Sequence, residues 1–118
     1  MNPEQAREKL EEYRVLIDDV DRRIVALLNE RTRVVEEIGR VKRQAKLPIY
    51  EPRREDQVMA NITGSNAGPL TEEAVRRVFE RIIDEMRKIQ RMRMEASDLT
   101  DQRQPIGGNR SAEADQGK

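Results

Sequence analysis

The stretch that decides the fold is residues 3–48, which read PEQAREKLEEYRVLIDDVDRRIVALLNERTRVVEEIGRVKRQAKLP. Apolar residues recur in it at alternating spacings of three and four, the pattern of an amphipathic helix with a heptad seam. The seam positions are Leu10, Tyr13, Ile17, Val20, Ile24, Leu27, Arg31, Val34, Ile38 and Val41. The pattern predicts one uninterrupted helix from Pro3 to about Lys46, roughly 65 Å long at 1.5 Å per residue.

Both ends of this helix carry recognisable signals. Asn2 is a good cap, Pro3 suits the first helical position, and Gln5 stands where a capping box needs it. The pair Leu47-Pro48 predicts the end, because proline cannot donate to the helix ladder and disfavours helical geometry in the residue before it.

The rest of the chain predicts two further helices and a tail. Pro52 opens a short helix to about Ile62 or Thr63, residues 63–69 form a turn, and a third helix starts at Thr71 and ends near Ala96. We therefore expect an all-α domain over residues 1–96 and a polar, disordered tail over residues 97–118. The third helix is too short to cover the first, so an intertwined homodimer is expected.

Composition narrows the classes of function. The 118 residues include 23 basic and 23 acidic side chains, interleaved along the chain, which argues against nucleic acid or a membrane surface as a partner. His and Cys are both absent, which excludes imidazole and thiolate catalysis and makes a zinc site unlikely. No segment has the length of a membrane span and the N-terminus does not resemble a signal peptide, so a cytoplasmic location is expected.

Cations within the apolar seam indicate an anion site. Arg31 stands where the period requires an apolar residue, and Lys42 follows eleven residues later on nearly the same face. Arg14 is roughly 25 Å from Arg31 along one helix, so the two can share a small ligand only if first helices pair antiparallel in a dimer. A single such arginine more often snorkels or pairs with a glutamate across an interface.

Other polar residues are placed to complete that site. Arg54 and Glu55 open the second helix just after a tight link and are expected to lie over the site as a lid. Gln90 falls on the apolar stripe of the third helix, where a glutamine is usually half-solvated and idle. Several cations, a carboxylate and an amide together suit a small dianion that carries a hydroxyl.

An ordered set of motifs covers about residues 5–95. The motifs are Arg14-x-x-Ile17-Asp18-x-x-Asp21, Leu27-Leu28-Asn29-Glu30-Arg31, Glu37-Ile38-Gly39-x-x-Lys42, Pro48-Ile49-Tyr50-Glu51-Pro52-x-Arg54-Glu55, Gly68-Pro69-Leu70, and Phe79-x-x-Ile82-Ile83-Asp84 ahead of Gln90. In this order they resemble the all-helical chorismate mutases. The resemblance implies the pericyclic rearrangement of chorismate to prephenate, the branch step toward phenylalanine and tyrosine. Such a reaction needs no cofactor, metal or nucleophile.

The resemblance also implies roles for individual residues. Arg31 and the partner's Arg14 correspond to the clamps for the substrate carboxylates. Lys42 and Gln90 correspond to the donors to the ether oxygen, where negative charge grows as the bond breaks.

Further positions belong to the same implied site. Glu55 matches the acceptor for the ring hydroxyl, assisted by the main chain at Glu51, and Arg54 matches a further cation. Met86 stands where many members carry a short hydroxyl that helps to hold the ring carboxylate. Glu51 replaces the more usual aspartate, a change expected to be silent.

Two other functions fit parts of this pattern. A non-catalytic helical dimerisation module would use seam cations only to specify register, and it would need neither Lys42 nor Gln90. A lyase of the same fold that eliminates pyruvate from isochorismate would use similar ligands, and the sequence separates it poorly from a mutase.

Overall fold

A computed structural model of the chain describes residues 1–103, with side chains through residue 98. It contains three helices: α1, Pro3–Ala45; α2, Pro52–Gly64; and α3, Glu72–Arg103. Within residues 1–103 no strand occurs, and the predicted all-α class is confirmed. No helix in this part of the chain combines the length and the apolar character that crossing a membrane requires.

The predicted start of α1 is confirmed. The main-chain N–H of Gln5 donates to Asn2 Oδ1 at 2.8 Å, and the N–H of Asn2 donates to Gln5 Oε1 at 3.1 Å. Two donors that the helix itself cannot satisfy are therefore satisfied reciprocally, as in a capping box.

The end of α1 is a turn with a left-handed residue, which the sequence did not predict. Lys46 has φ of +58°, the N–H of Leu47 donates to the carbonyl of Lys42 at 2.8 Å, and the N–H of Lys46 donates to that of Arg43 at 3.2 Å. This pair of bonds is the Schellman arrangement, normally built on glycine. It turns the chain back so that the link after Pro48 runs beside the last turn of α1.

The predicted starts of α2 and α3 agree with the structure, but α3 is longer than predicted. Thr71 caps α3 by accepting the N–H of Ala74 on Oγ1 at 3.1 Å. The helix continues past the expected end near Ala96 to Arg103, because residues 97–103 contain neither glycine nor proline to stop it. The remainder of the predicted tail, residues 104–118, lies outside the described residues.

The chain divides into two compact units, Met1–Arg33 and Val34–Lys118. The first is a single stretch of helix whose apolar seam residues are 44–63% exposed. In the second, α3 packs on α2 and also contacts the last part of α1. Val75, Met86 and Gln90 are its buried residues among those described, together with Gly39.

Candidate functional site

Lys42, in the last turns of α1, is held by the link that follows the helix. Its Nζ donates to the main-chain oxygen of Ile49 at 2.9 Å and lies 2.8 Å from Glu51 Oε1. The side chain is only 12% exposed. An ammonium has three N–H donors, so these two contacts leave one for a further acceptor.

Glu51 contributes to this arrangement through its side chain. The pKa of Glu51 lies below its ordinary value. The largest cause is the hydrogen bond from Lys42, the next is the positive charge of the same ammonium, and Arg54 adds a further contribution. The sequence predicted only a main-chain role and a silent change from aspartate. The structure adds an ion pair of the glutamate carboxylate with Lys42, and the main-chain role stays a prediction.

Gln90 on α3 is buried against α1. Its Nε2 donates to the main-chain oxygen of Val35 at 3.2 Å. A carbonyl can only accept, so this bond sets the orientation of the amide with the nitrogen toward α1. The second N–H on Nε2 remains available as a donor.

Gly39 explains how Gln90 comes so close to α1. A Cβ at Gly39 would lie 3.4 Å from Gln90 Cγ and 3.8 Å from both Cδ and Nε2. The Gln90 side chain therefore packs on α1 at the position of this glycine. A glycine in mid-helix costs about 1 kcal/mol relative to alanine. Lys42 follows Gly39 by three residues, so the two lie on the same face in successive turns.

Glu55 on α2 is paired with Arg87 on α3, a residue that the sequence analysis did not select. Arg87 Nη2 donates to Glu55 Oε2 at 2.7 Å, Nη1 lies 3.5 Å from Asp84 Oδ1, and the guanidinium carbon lies 5.1 Å from the centre of the Tyr50 ring. Arg87 stands between Ile83 and Gln90 at helical spacing, so it is a cation in an apolar stripe, as Arg31 is. This spacing is the sequence signal from which Arg87 could have been predicted.

Arg87 also carries an unsatisfied donor. Among the side chains that the structure describes, Arg87 Nε is buried without a hydrogen-bond acceptor. An unpaired buried donor of this kind typically costs about 1–3 kcal/mol. The other contacts of the guanidinium must outweigh that penalty to hold it in place.

The remaining predicted residues differ in their surroundings. Met86 is buried in the core of the second unit, and Arg54 is exposed at the start of α2, where Nη1 donates to Gln57 Oε1 at 3.4 Å. Arg14 and Arg31 lie on α1 in the first unit; Arg14 is exposed, 3.8 Å from Glu11, and Arg31 is half-buried. Within the second unit the structure thus fixes Lys42 on α1 through the oxygen of Ile49, and it fixes Gln90 on α3 through the oxygen of Val35 in α1.

Comparison with known proteins points to one family. The family model described as chorismate mutase type II matches residues 13–91. A bifunctional chorismate mutase/prephenate dehydratase of Aquifex aeolicus (strain VF5) is 38% identical over 80 residues, 64% of this chain and 22% of that protein. A chorismate mutase of Methanocaldococcus jannaschii is 36% identical over 55 residues, 47% of this chain and 56% of that protein.

A solved structure agrees with these sequence relatives. Chorismate mutase (Form II) from Thermus thermophilus is 36% identical with a TM-score of 0.69, over 70% of this chain and 94% of that chain. The chain spans about a fifth of the length of the bifunctional relatives that it matches. Neither a lyase nor a non-catalytic dimerisation module is favoured by these matches. Since the family model covers well over half of the sequence, the chain belongs to the chorismate mutase type II family.

Proposed function

We propose that this protein is a chorismate mutase, an isomerase that rearranges chorismate to prephenate in aromatic amino-acid biosynthesis, without a metal or cofactor. The observation that carries the proposal is the placement of Lys42 and Gln90. Each is fixed by a main-chain oxygen, that of Ile49 or Val35, and each keeps an N–H donor for another acceptor.

Two fixed donors suit the chemistry of a Claisen rearrangement. As the carbon–oxygen bond breaks, negative charge develops on the ether oxygen. Donors that are already oriented in a water-poor site stabilise this charge more in the transition state than in the ground state. Lys42 supplies a full positive charge and Gln90 a neutral amide.

The first turns of α2 supply the groups for the ring of the substrate. Glu55 accepts a hydrogen bond from the ring hydroxyl, and the main chain at Glu51 assists. Arg54, exposed at the same end of α2, adds a positive charge for the dianionic substrate. Met86 occupies the position of a shorter polar residue and cannot itself donate to the ring carboxylate.

The carboxylate clamps require a second copy of the chain. Arg31 binds in its own site, and the partner's Arg14 completes that site in an antiparallel homodimer. The exposed seam of the first unit supports such pairing, since six large apolar side chains along it are open to solvent in one chain: Leu10, Tyr13, Ile17, Val20, Ile24 and Leu27. The cytoplasmic location stays a prediction.

Loss of chorismate absorbance on addition of the purified protein tests the proposal. We expect turnover of chorismate to prephenate, without added metal and in the presence of a chelator. The same preparation should be offered isochorismate, because release of pyruvate from that compound without turnover of chorismate would contradict the proposal in favour of a lyase.

A further inference from the structure

The ion pair between Arg87 and Glu55 connects α3 to the proposed site. We propose that Arg87 is a positioning residue for the reaction: it holds the Glu55 carboxylate in the orientation that accepts the ring hydroxyl of the substrate. This inference rests on the proposed function and adds to it a residue that does not itself contact the substrate.

The geometry of the pair divides the two carboxylate oxygens between two tasks. Arg87 Nη2 binds Oε2 at 2.7 Å, a distance typical of a charge-assisted bond. Oε1 then remains to accept the hydroxyl. Both side chains are less than one third exposed, so water competes for this bond less than on an open surface.

The guanidinium is itself held from several directions. Its central carbon lies over the Tyr50 ring, and Nη1 lies 3.5 Å from Asp84, one turn earlier on α3. A side chain fixed in this way sets the position of its partner, whereas a mobile surface arginine would follow it.

The link between α1 and α2 shows why an anchor on α3 is useful. Glu51 is bound by Lys42 of α1, and its neighbour Tyr50 is contacted by Arg87 of α3. The start of α2 is therefore fixed from two helices. In the proposed mechanism Lys42 donates to the ether oxygen. Lys42 and Arg87 therefore fix the start of α2, which binds the ring hydroxyl, relative to the reacting end of the substrate.

A substrate comparison separates positioning of Glu55 from general support of the fold. Arg87→Met keeps much of the length of the side chain and removes its charge. We expect kcat/KM on chorismate to fall about tenfold or more, the usual effect of losing a hydrogen bond to a charged group. On the chorismate analogue that lacks the ring hydroxyl, Glu55 has nothing to accept. The same variant should there differ from the parent by less than about threefold.

Two further variants complete the test. Arg87→Lys retains a charged donor and should recover part of the lost kcat/KM on chorismate, with little change on the analogue. In the presence of Glu55→Gln, either change at Arg87 should have little further effect, since the group that it positions is gone. Arg81→Met, which removes an exposed arginine of α3 that pairs with Glu85 one turn later, is the control and should behave as the parent does on both substrates.

The outcomes are distinct. Turnover by the parent, with equal losses on both substrates for Arg87→Met, would overturn the positioning role and leave the proposed function standing. Effects of Arg87 and Glu55 changes that simply add would do the same. No turnover of either substrate by the parent would overturn both proposals. If Arg87→Met does not fold, Arg87→Lys with and without Glu55→Gln decides between these outcomes.

Discussion

Gln90 packs directly on Gly39: a Cβ at the glycine would lie 3.4 Å from Gln90 Cγ, which is an ordinary van der Waals contact. The amide then reaches the main-chain oxygen of Val35, one helical turn earlier on α1. A side chain larger than alanine at position 39 would therefore meet Gln90, so the small size of this residue keeps the space in which the amide packs. The glycine is not a point of backbone freedom in this helix.

Substitutions at Gly39 should separate helix propensity from the packing of Gln90. In Gly39→Ala the added Cβ would lie 3.4 Å from Gln90 Cγ, an ordinary contact distance, so activity should be nearly retained. The free energy of unfolding should rise by up to about 1 kcal/mol, because alanine favours a helix more than glycine does. Gly39→Val adds two methyl groups where Gln90 lies and should lower kcat about 10² to 10³-fold, as expected for loss of one preorganised donor. Steady-state kinetics and urea unfolding of both variants measure these effects. Full activity of the folded Gly39→Val variant would contradict the assigned role of Gln90.

The sequence predicts those features of the fold that depend on residues close together in the chain, and it misses contacts between residues far apart. The all-α class, the cap at Asn2 and the start of α3 at Thr71 follow from local spacing and capping chemistry, and all three are confirmed. The contact between Gly39 and Gln90 involves residues far apart in sequence. A glycine in a helix gives no sign of what packs on it, so this contact required the structure.

The site shows the same limit. The spacing after Arg31 predicts Lys42 as a site residue, and the family resemblance implies the role of Gln90; the structure supplies the anchors of both on main-chain oxygens. The main-chain role of Glu51 came from the family resemblance. Its ion pair with Lys42 forms across the turn at Lys46, which lacks the glycine that normally marks such a turn, so the sequence did not predict it. The polar composition after Ala96 predicts disorder, whereas α3 continues to Arg103 because residues 97–103 contain no glycine or proline.

Removal of the Lys42 ammonium should reduce the chemical step far more than it reduces folding. Lys42→Ala should lower kcat by about 10² to 10³, or roughly 2.7 to 4 kcal/mol in activation free energy. Lys88→Ala removes an exposed lysine of α3 that lies 3.6 Å from Glu85, and it should match the parent. Circular dichroism with single-turnover kinetics checks both. A variant that loses affinity for chorismate but keeps kcat would show that Lys42 binds the ground state instead.

The pair between Glu51 and Lys42 should make part of the stability depend on pH. Because the pKa of Glu51 is lowered in the folded chain, its contribution is present above the ordinary value of 4.5 and is lost as pH falls through the lower folded value. The difference in unfolding free energy between the parent and Glu51→Gln should therefore be constant from about pH 7 to 6 and shrink below about pH 4.5. In the presence of Lys42→Ala the difference should be much smaller at every pH. A difference that grows on acidification would contradict the pairing.

Sites completed by two chains should show complementation. If Arg14 serves the partner's site and Arg31 its own, Arg14→Ala and Arg31→Ala variants should each be inactive and should regain activity when mixed and allowed to exchange. In a heterodimer one site collects both changes and the other collects neither, so up to half of the sites return. Proven exchange without recovery of activity would mean that the two arginines do not act across the dimer, and a monomeric mass by light scattering would remove the basis of the shared site.

The orientation of the Gln90 amide leads to a pH test of the mechanism. In the parent, Nε2 donates to the Val35 oxygen, and in the proposed mechanism its second N–H donates to the ether oxygen. Gln90→Glu places a carboxyl group against that main-chain oxygen in a buried position, where only the protonated form can donate; burial and the facing acceptor both raise the pKa of the introduced group.

Activity of the variant should therefore be highest at low pH and fall as the carboxyl group ionises, since the ionised form repels the developing charge on the ether oxygen. The chain has no His, and the proposed donor of the parent is an amide, so the kcat of the parent should be nearly flat between about pH 5 and 8. Gln90→Met, which fills similar volume without a donor, is the control and should be weakly active without a pH trend. If the Gln90→Glu variant kept the activity of the parent at every pH in that window, Gln90 would not be the donor to the ether oxygen, and the main-chain contact at Val35 would serve only to pack α3 on α1.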